Sequence, residues 1–490
     1  MRTRTDIFLL IILLSVLSAG VHSILPLERG WLDYRKARLL GTEQQRDDLY
    51  PVEPGLWYDP AWDWDMETIN PDSGKIIIGV IPGLEAGDNQ NLDLYSYLNI
   101  SIRNISLINS MRLNRELRND PDFVGKRWRD FVGYTEESFI QYVSPESRMG
   151  MNLLLAFGRI HDIWGPGRTG QLIMSSMHRP LDQVLLKLKL HRFSIALKTA
   201  RLDNHVTAID GHADSTIVDQ RWLSASRVGI SGSRWRLALN QAVVYGGEGQ
   251  ALEYAYMSPL ILLYGEQANG PELKANILGS IDGRYWFDNS SVYFELLFDD
   301  FQVENSDQSD LEPPEVGVIL GIEWARKSWY AGIEYAALTN RTYKTSDMYN
   351  ARRSDWYTHR GEMPIGYAEG SDLWRLNGIA RFQNDSHLIF DLEMDYCVRG
   401  EGEMNRPWDA PWQEPDVTMA TGYDEPFPTG VLEKTSTINA SVTWQWNHEC
   451  WAGIFIEQAR TENFSHQAGQ TKNDTSWGVK CYWALYRVYD

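Results

Sequence analysis

The chain has 490 residues and carries 66 acidic against 46 basic side chains, a net charge of -20. An acidic surface of this kind repels phosphate backbones, which argues against nucleic acid as a partner. Beyond the N-terminus no run approaches the roughly 20 consecutive apolar residues that a spanning helix needs, so any membrane crossing has to be made by strands.

Residues 1–23 open with Arg2 and Arg4, continue through an apolar core from Ile7 to Leu17, and end in small residues with Val21 and Ser23 placed before a cut. This is the pattern of a signal peptide, its apolar core too short to span a bilayer. Its removal takes two positive charges (Arg2, Arg4) and one negative (Asp6), leaving -21 on an exported chain. Residues 24–74 differ from all that follows. Leu27, Trp31, Tyr34, Leu39 and Leu40 fall among charges at near-helical spacing and predict a short amphipathic helix. Trp57, Tyr58, Trp62 and Trp64, interleaved with Asp59, Asp63 and Asp65 and broken by Pro51, Pro54 and Pro60, predict an irregular arm. Neither piece buries enough surface to fold alone, so the segment is expected to plug a larger body.

From residue 75 to 490 alternation takes over. Leu388, Phe390, Leu392, Met394 and Tyr396 are apolar while Asp391, Glu393 and Asp395 between them are carboxylates. Successive side chains of a strand point to opposite faces, so this run presents an apolar stripe on one side and negative charge on the other. Leu98, Ile100 and Ile102, then Val318, Leu320, Ile322 and Trp324, then Ala440, Val442, Trp444 and Trp446 repeat the pattern. The fold class expected is an all-β transmembrane antiparallel β-barrel. Candidate strands begin near Lys75, Tyr95, Ser106, Glu137, Met149, Val184, Phe193, Trp222, Trp235, Tyr254, Lys274, Ser291, Gly317, Trp329, Trp374, His387, Thr437, Trp451 and Trp477. Such barrels close with an even number, which makes one of these false and gives about 18 strands. Long loops face outward in outer-membrane barrels, so Thr342–Asp372 and Gly400–Ser436 are expected to form the external surface.

Charges on the polar parity are mixed: Lys187, Lys189, Lys198 and Arg236 come early, and Glu295, Asp299, Glu323, Glu334, Asp391, Glu393 and Asp395 come late. They either pair to rigidify the barrel, as polar groups out of bulk water require, or set up a field across an open lumen as in a porin. The excess of acids leaves room for an unpaired acidic patch or a bound divalent cation. Of Cys397, Cys450 and Cys481, the last two are close enough in the chain to bridge, but Cys481 lies on apolar parity. Chemistry-bearing motifs are poor. Gly229–Ser233 misses the nucleophile elbow at its last position, the 10 histidines show no metal-ligand spacing, and no carboxylate pair stands out as acid and base. A non-enzyme without cofactor or metal is expected. The sequons at Asn99 and Asn439 fall inside strands and are read as accidental.

One motif is sharp. Leu153–Phe157 run into Gly158 and Arg159, followed by His161, Trp164, Gly165, Pro166, Gly167 and Gly170. Glycines and a proline so close together demand a tight fixed turn with Trp164 beside it, and Arg159 is placed to pair with lumen carboxylates. The segment resembles the capsule-assembly (Wzi-type) family of outer-membrane proteins, whose members carry Gly-Arg after a strand, a Trp-Gly-Pro-Gly turn, small residues and a proline before the next strand. Here Gly158, Arg159, Trp164 to Gly167, Ser175, Ser176, Arg179 and Pro180 match, and Pro26–Gly30, Ser258 and Pro259 match more loosely. The resemblance implies one large barrel closed at its periplasmic side by an N-terminal helical part, which binds capsular or exopolysaccharide at the cell surface. The N-terminal segment is short for a full helical plug, and the chain ends in Asp490 rather than an aromatic. Tyr489 shares parity with Trp483 and Leu485 and is expected to serve as the signal for the barrel-assembly machinery.

The expected function is therefore a monomeric binder that anchors or assembles surface polysaccharide amid outer-membrane lipid and lipopolysaccharide. The alternative is a porin-like channel for small solutes or oligosaccharides. Trp408, Trp412 and Tyr423, with Phe427 nearby, and Trp356 and Tyr357 in the first long loop, are the candidate sugar-stacking residues. Against this, Trp and Tyr also serve as interfacial girdles or loop anchors.

Overall fold

The computed structural model describes residues 53–54, 74–87, 91–115, 126–128, 131–144, 150–160, 162–175, 180–208, 216–259, 261–266, 275–300, 306–326, 329–345, 355–358, 363–383, 388–404, 408–445, 450–483 and 485–489. Long strands alternate direction along the chain: β1 (Gly74–Gly87), β2 (Asn91–Ile102), β3 (Ile105–Asn114), β4 (Phe131–Val143), β5 (Met151–Ile160), β6 (Leu181–Leu190) and β7 (Phe193–Arg201). They continue as β8 (Thr216–Ser231), β9 (Trp235–Glu248), β10 (Ala275–Trp286), β11 (Ser290–Asp300), β12 (Glu315–Arg326), β13 (Trp329–Leu338) and β14 (Leu373–Gln383). β15 (Leu388–Arg399), β16 (Glu433–Gln445), β17 (Cys450–Glu462) and β18 (Thr471–Trp483, prolonged by Leu485–Tyr489) complete the set. Each pairs antiparallel with its neighbours, and β1 pairs with β18 through Gly83 and Tyr482, so the sheet closes as an 18-strand barrel without an edge.

The register fixes which end is which. Gly74 lies opposite Ile102, next to the two-residue turn at Arg103 and Asn104, and the other short connections, residues 88–90 between β1 and β2 excepted, lie at that same end. By the usual asymmetry of outer-membrane barrels this is the periplasmic end, and the long connections lie outside. Exposed Phe193, Trp235, Tyr285, Phe287, Trp324, Trp329, Phe390, Trp444 and Trp483 stand near the short turns, an interfacial belt of aromatic rings. Above them the outward parity is apolar and exposed, as at Leu320, Ile322, Leu392, Met394, Ile454 and Ile456. Among the described residues no helix is long and apolar enough to cross a membrane.

Alternation read from the sequence holds along β2, β12, β15 and β16, where Asn99, Ser101, Ile319 and Glu323 are buried inward. The surplus strand is the one expected at Tyr254. Its residues are apolar on both parities and carry Pro259, which cannot donate to a ladder, and they form a one-turn 3-10 helix (Ala255–Met257) and a short α-helix (Leu263–Glu266). The signal peptide and the helix and arm expected over residues 24–74 lie outside the described residues, apart from Glu53 and Pro54 and the first residue of β1. Cys397, Cys450 and Cys481 are all free thiols.

Candidate functional site

The lumen is not the polar space that parity alone suggests. Two connections from the outer end turn inward and pack against β7–β14: residues 162–175, which follow β5, and, of the connection that follows β13, the described residues 339–345, 355–358 and 363–372. Trp164, Leu172, Ile173 and Met174 from the first meet Tyr343, Trp356, Tyr357, Ile365 and Tyr367 from the second, over inward-facing Leu223, Leu278, Leu297 and Ile319. Hence the described residues of Thr342–Asp372 do not form the external surface that was expected. Thr342, Tyr343, Asp355, Trp356 and Tyr357 are buried, and the Trp356 ring donates from Nε1 to the Ile173 carbonyl at 3.0 Å. Trp356 and Tyr357 are core residues, so neither presents a ring to the outside.

The family motif is the inner turn. Trp164 Nε1 donates to Asp162 Oδ2 at 2.8 Å, and Asp162 also receives Lys187 Nζ at 3.3 Å and Lys198 Nζ at 3.8 Å. Gly165 has φ of 132°, and a Cβ there would stand 2.4 Å from Glu295 Oε2, so only glycine fits. The Pro166 carbonyl accepts from Arg284 Nη2 at 2.9 Å, and the Gly167 carbonyl accepts from Gln171 Nε2 at 2.8 Å. Glu334 receives the backbone N–H of Arg168 at 2.5 Å and of Thr169 at 2.8 Å, and Tyr293 Oη at 2.6 Å. Gly158 also has φ of 132°, and a Cβ there would stand 2.3 Å from the Ser138 carbonyl on β4. Arg159 departs from expectation. It shares parity with exposed Leu155 and Phe157 and pairs across the ladder with Asp182 at 2.8 Å, outside the lumen.

Ion pairs between neighbouring wall strands brace the lumen around this filling. Arg227 donates twice to Asp282, at 2.5 and 2.8 Å, and Arg284 donates to Glu323 at 2.6 Å while Tyr330 Oη donates to its other oxygen at 2.9 Å. Toward β14–β15, Arg375 meets Asp395 at 2.5 Å and Arg381 meets Asp391. Arg168 Nη1 stands 3.7 Å from Glu393, whose side chain is 41% exposed. Lys189 is half-buried and not without a partner. Sequence parity thus finds Glu323, Glu334, Lys187 and Lys198 but misses Asp162, Arg168, Arg227, Asp282 and Arg284. Asp162 and Arg168 lie on a loop that has no parity, and Arg227 shares its face with apolar Leu223 and Ala225. Among the described residues no group of three or more His, Cys, Asp or Glu side chains is placed to hold a metal ion.

The outer face is built on residues 400–404 and 408–432. Trp412 is fully buried, with Trp408 edge-on at 5.3 Å, Tyr423 at 6.2 Å and the Arg341 guanidinium 4.7 Å over its ring. Arg341 donates to both oxygens of Glu425, at 2.9 and 2.8 Å, and to Asp409 at 3.0 Å. Asp372, at the foot of the inward loop, accepts from the N–H of Thr429 at 2.9 Å and of Gly402 at 2.7 Å. Gln308 Nε2 donates to the carbonyls of Trp412 and Glu414 at 2.9 Å each. The outer loop is thereby fastened to the lumen filling. Trp408 and Tyr423 remain half-buried, and Asp409, Asp424, Met419 and Phe427 are exposed around them.

Comparison with known proteins decides the family. The sequence model for "Capsule assembly protein Wzi" matches residues 134–476, well over half of the chain and including the inner turn. The chain belongs to the Wzi capsule assembly family. Among solved structures it is similar to Wzi of Escherichia coli, described as an outer membrane protein involved in group 1 capsule assembly and a carbohydrate-binding β-barrel. Identity is 12% over 90% of this chain and 88% of that one, with a TM-score of 0.50. OprD of Pseudomonas aeruginosa is similar at 8% identity over 85% of this chain and 93% of that one, TM-score 0.43. OccAB2 of Acinetobacter baumannii is similar at 9% identity over 86% and 99%, TM-score 0.44. No curated protein sequence matches. The chain is an outer-membrane β-barrel of the Wzi family.

Proposed function

We propose that this chain binds a capsular or exopolysaccharide at the outer face of the outer membrane and helps to anchor or assemble it there, without catalysis. The observation that carries the reading is the packed lumen. Residues 162–175 and the described part of 339–372 fill it with apolar side chains, and Asp162 pairs with Lys187 and Lys198 of the wall, which suits a rigid stand for outer loops better than a conduit. Family membership and the carbohydrate binding described for the Escherichia coli protein point the same way. The half-buried rings of Trp408 and Tyr423, ringed by exposed Asp409 and Asp424, offer the stacking faces and hydroxyl acceptors that a sugar chain requires.

Residues 24–74 are taken to complete the closure. Glu53–Pro54 pairs antiparallel with Asp162–Ile163 inside the barrel, whereas Gly74 starts β1 at the opposite, periplasmic end. We take the residues between these two points to lie in the lumen. One observation favours the porin-like alternative: inward side chains of β15–β17, including Asp391, Glu393, Asp395, Asn439 and Glu457, are polar and only half-buried. The test of the binding reading is retention on cells. Loss of this protein is expected to move surface polysaccharide from the cell-bound to the released fraction, and resupply to restore it; unchanged retention overturns the proposal.

A further inference from the structure

Residues 249–259 and 261–266 fold back over the outside of the barrel, and the wall beneath them is built to receive them. On β9 the outward parity is set by exposed Trp235, Leu237 and Leu239; Gln241, Val243 and Tyr245 continue that parity, yet Val243 and Tyr245 are buried. Outward-facing Ser224 and Ser226 on β8, Thr199 on β7 and Ile277 on β10 are buried as well. What covers them is this flap: Tyr256 and Leu263 pack with Val243, Tyr245 and Ile277. Gln241 Nε2 donates to the Ile261 carbonyl at 2.5 Å and Gln241 Oε1 accepts from the Leu263 N–H at 3.0 Å. Tyr245 Oη accepts from the Glu253 N–H at 3.2 Å, and Tyr264 Oη donates to the Asp299 carbonyl at 2.5 Å.

The depth of this contact follows from the strand. At a rise of about 3.4 Å per residue and a tilt of roughly 40°, each residue adds about 2.5 Å of height. Gln241 therefore lies about 15 Å above the aromatic belt at Trp235, inside an apolar band about 25 Å tall, and Tyr245 lies near its outer boundary. Irregular backbone at that depth needs its polar groups satisfied by protein. The Gln241 amide does this for both sides of Leu262. The flap presents exposed apolar groups at that depth: Leu262, between the two residues that Gln241 holds, is 77% exposed, and Tyr254 is 81% exposed next to Glu253, the exposed acid whose N–H meets Tyr245 at the outer boundary. Residues 249–266 include no lysine or arginine, so phosphate groups are not what the flap is shaped to hold.

We infer that residues 249–266 are a lipid-contacting flap inserted in the outer leaflet, with Leu262 among acyl chains, Tyr254 at the headgroup boundary, and the Gln241 amide as its clamp on the wall. The test uses the full chain in liposomes, with Cys397, Cys450 and Cys481 replaced by serine. Single spin labels are introduced through Leu262→Cys, Tyr254→Cys and, as an external control, Met419→Cys, and collisions with oxygen and with a water-soluble nickel chelate are measured. The label at position 262 should collide strongly with oxygen and several-fold less with nickel than the label at 419, with position 254 between them. High nickel access at 262 overturns the inference by placing the flap in water. Low access to both reagents overturns it in favour of a protein partner or a second copy. Adding Gln241→Ala should raise nickel access at 262 while the barrel keeps its heat-modifiable gel mobility. No change at 262 contradicts the clamp.

Discussion

Arg284 and Glu323 face each other in the lumen at 2.6 Å, both almost wholly buried, with the Pro166 carbonyl and Tyr330 Oη completing their hydrogen bonds. Removing one partner leaves a charge without its counterion, at a cost of about 3–5 kcal/mol, whereas replacing both by apolar groups can be near neutral. Arg284→Met is expected to lower the temperature at which the compact barrel unfolds on a gel, and Arg284→Met with Glu323→Leu to recover most of it; an equal loss in the double variant would show that the pair is not coupled. Tyr343 gives a pH handle. Burial raises its phenol well above the usual tyrosine value, and its hydroxyl donates to the Leu172 carbonyl at 2.5 Å. A raised folded-state value means that the folded chain holds the proton longer, so this stability is complete below about pH 10 and declines as pH climbs beyond it. Tyr343→Phe should flatten the decline above pH 10 in thermal melts relative to wild type. At this scale the sequence is a partial guide. Gly165, Pro166 and Gly167 announce a tight turn, but nothing in them says that it sits against Glu295.

Strands were legible because a lipid-facing wall forces alternation with period two, and parity along β2, β12, β15 and β16 survives into the structure unchanged. Loops were not. Residues 339–372 and 400–432 have similar mixtures of Trp, Tyr and charge, yet the described part of one packs the lumen and that of the other crowns it, a difference set by where the barrel leaves room. The apolar run from Tyr254 likewise has strand composition, and its exclusion from the sheet follows from Pro259 and from polar Gln241 and Ser226 facing outward beneath it. Within the crown, Trp412 is an anchor and Trp408 a face. Trp412→Ala removes a buried ring and should cost about 3–5 kcal/mol locally, seen as faster proteolysis of residues 408–427 in an intact barrel. Equal protease resistance in wild type and variant would contradict the anchoring role.

At the scale of the molecule, eighteen strands close a wall wide enough to conduct, and the inward loops decide whether it does. Full-length protein in planar bilayers is expected to stay closed, and deletion of residues 24–73 to open steady conductance past the half-buried polar side chains of β15–β17. Large conductance in the intact chain would favour the porin-like reading. The fold and family could be read from alternation plus the turn at Trp164–Gly167; the sugar-facing residues could not, because aromatic anchors and aromatic platforms look alike in a sequence. The most direct measurement is binding of purified surface polysaccharide to the full-length protein in liposomes, compared with Trp408→Ala. Saturable binding is expected, weakened by about 1 kcal/mol, or roughly fivefold, on loss of one stacking face. Absence of any polysaccharide binding by the wild-type protein would contradict the account.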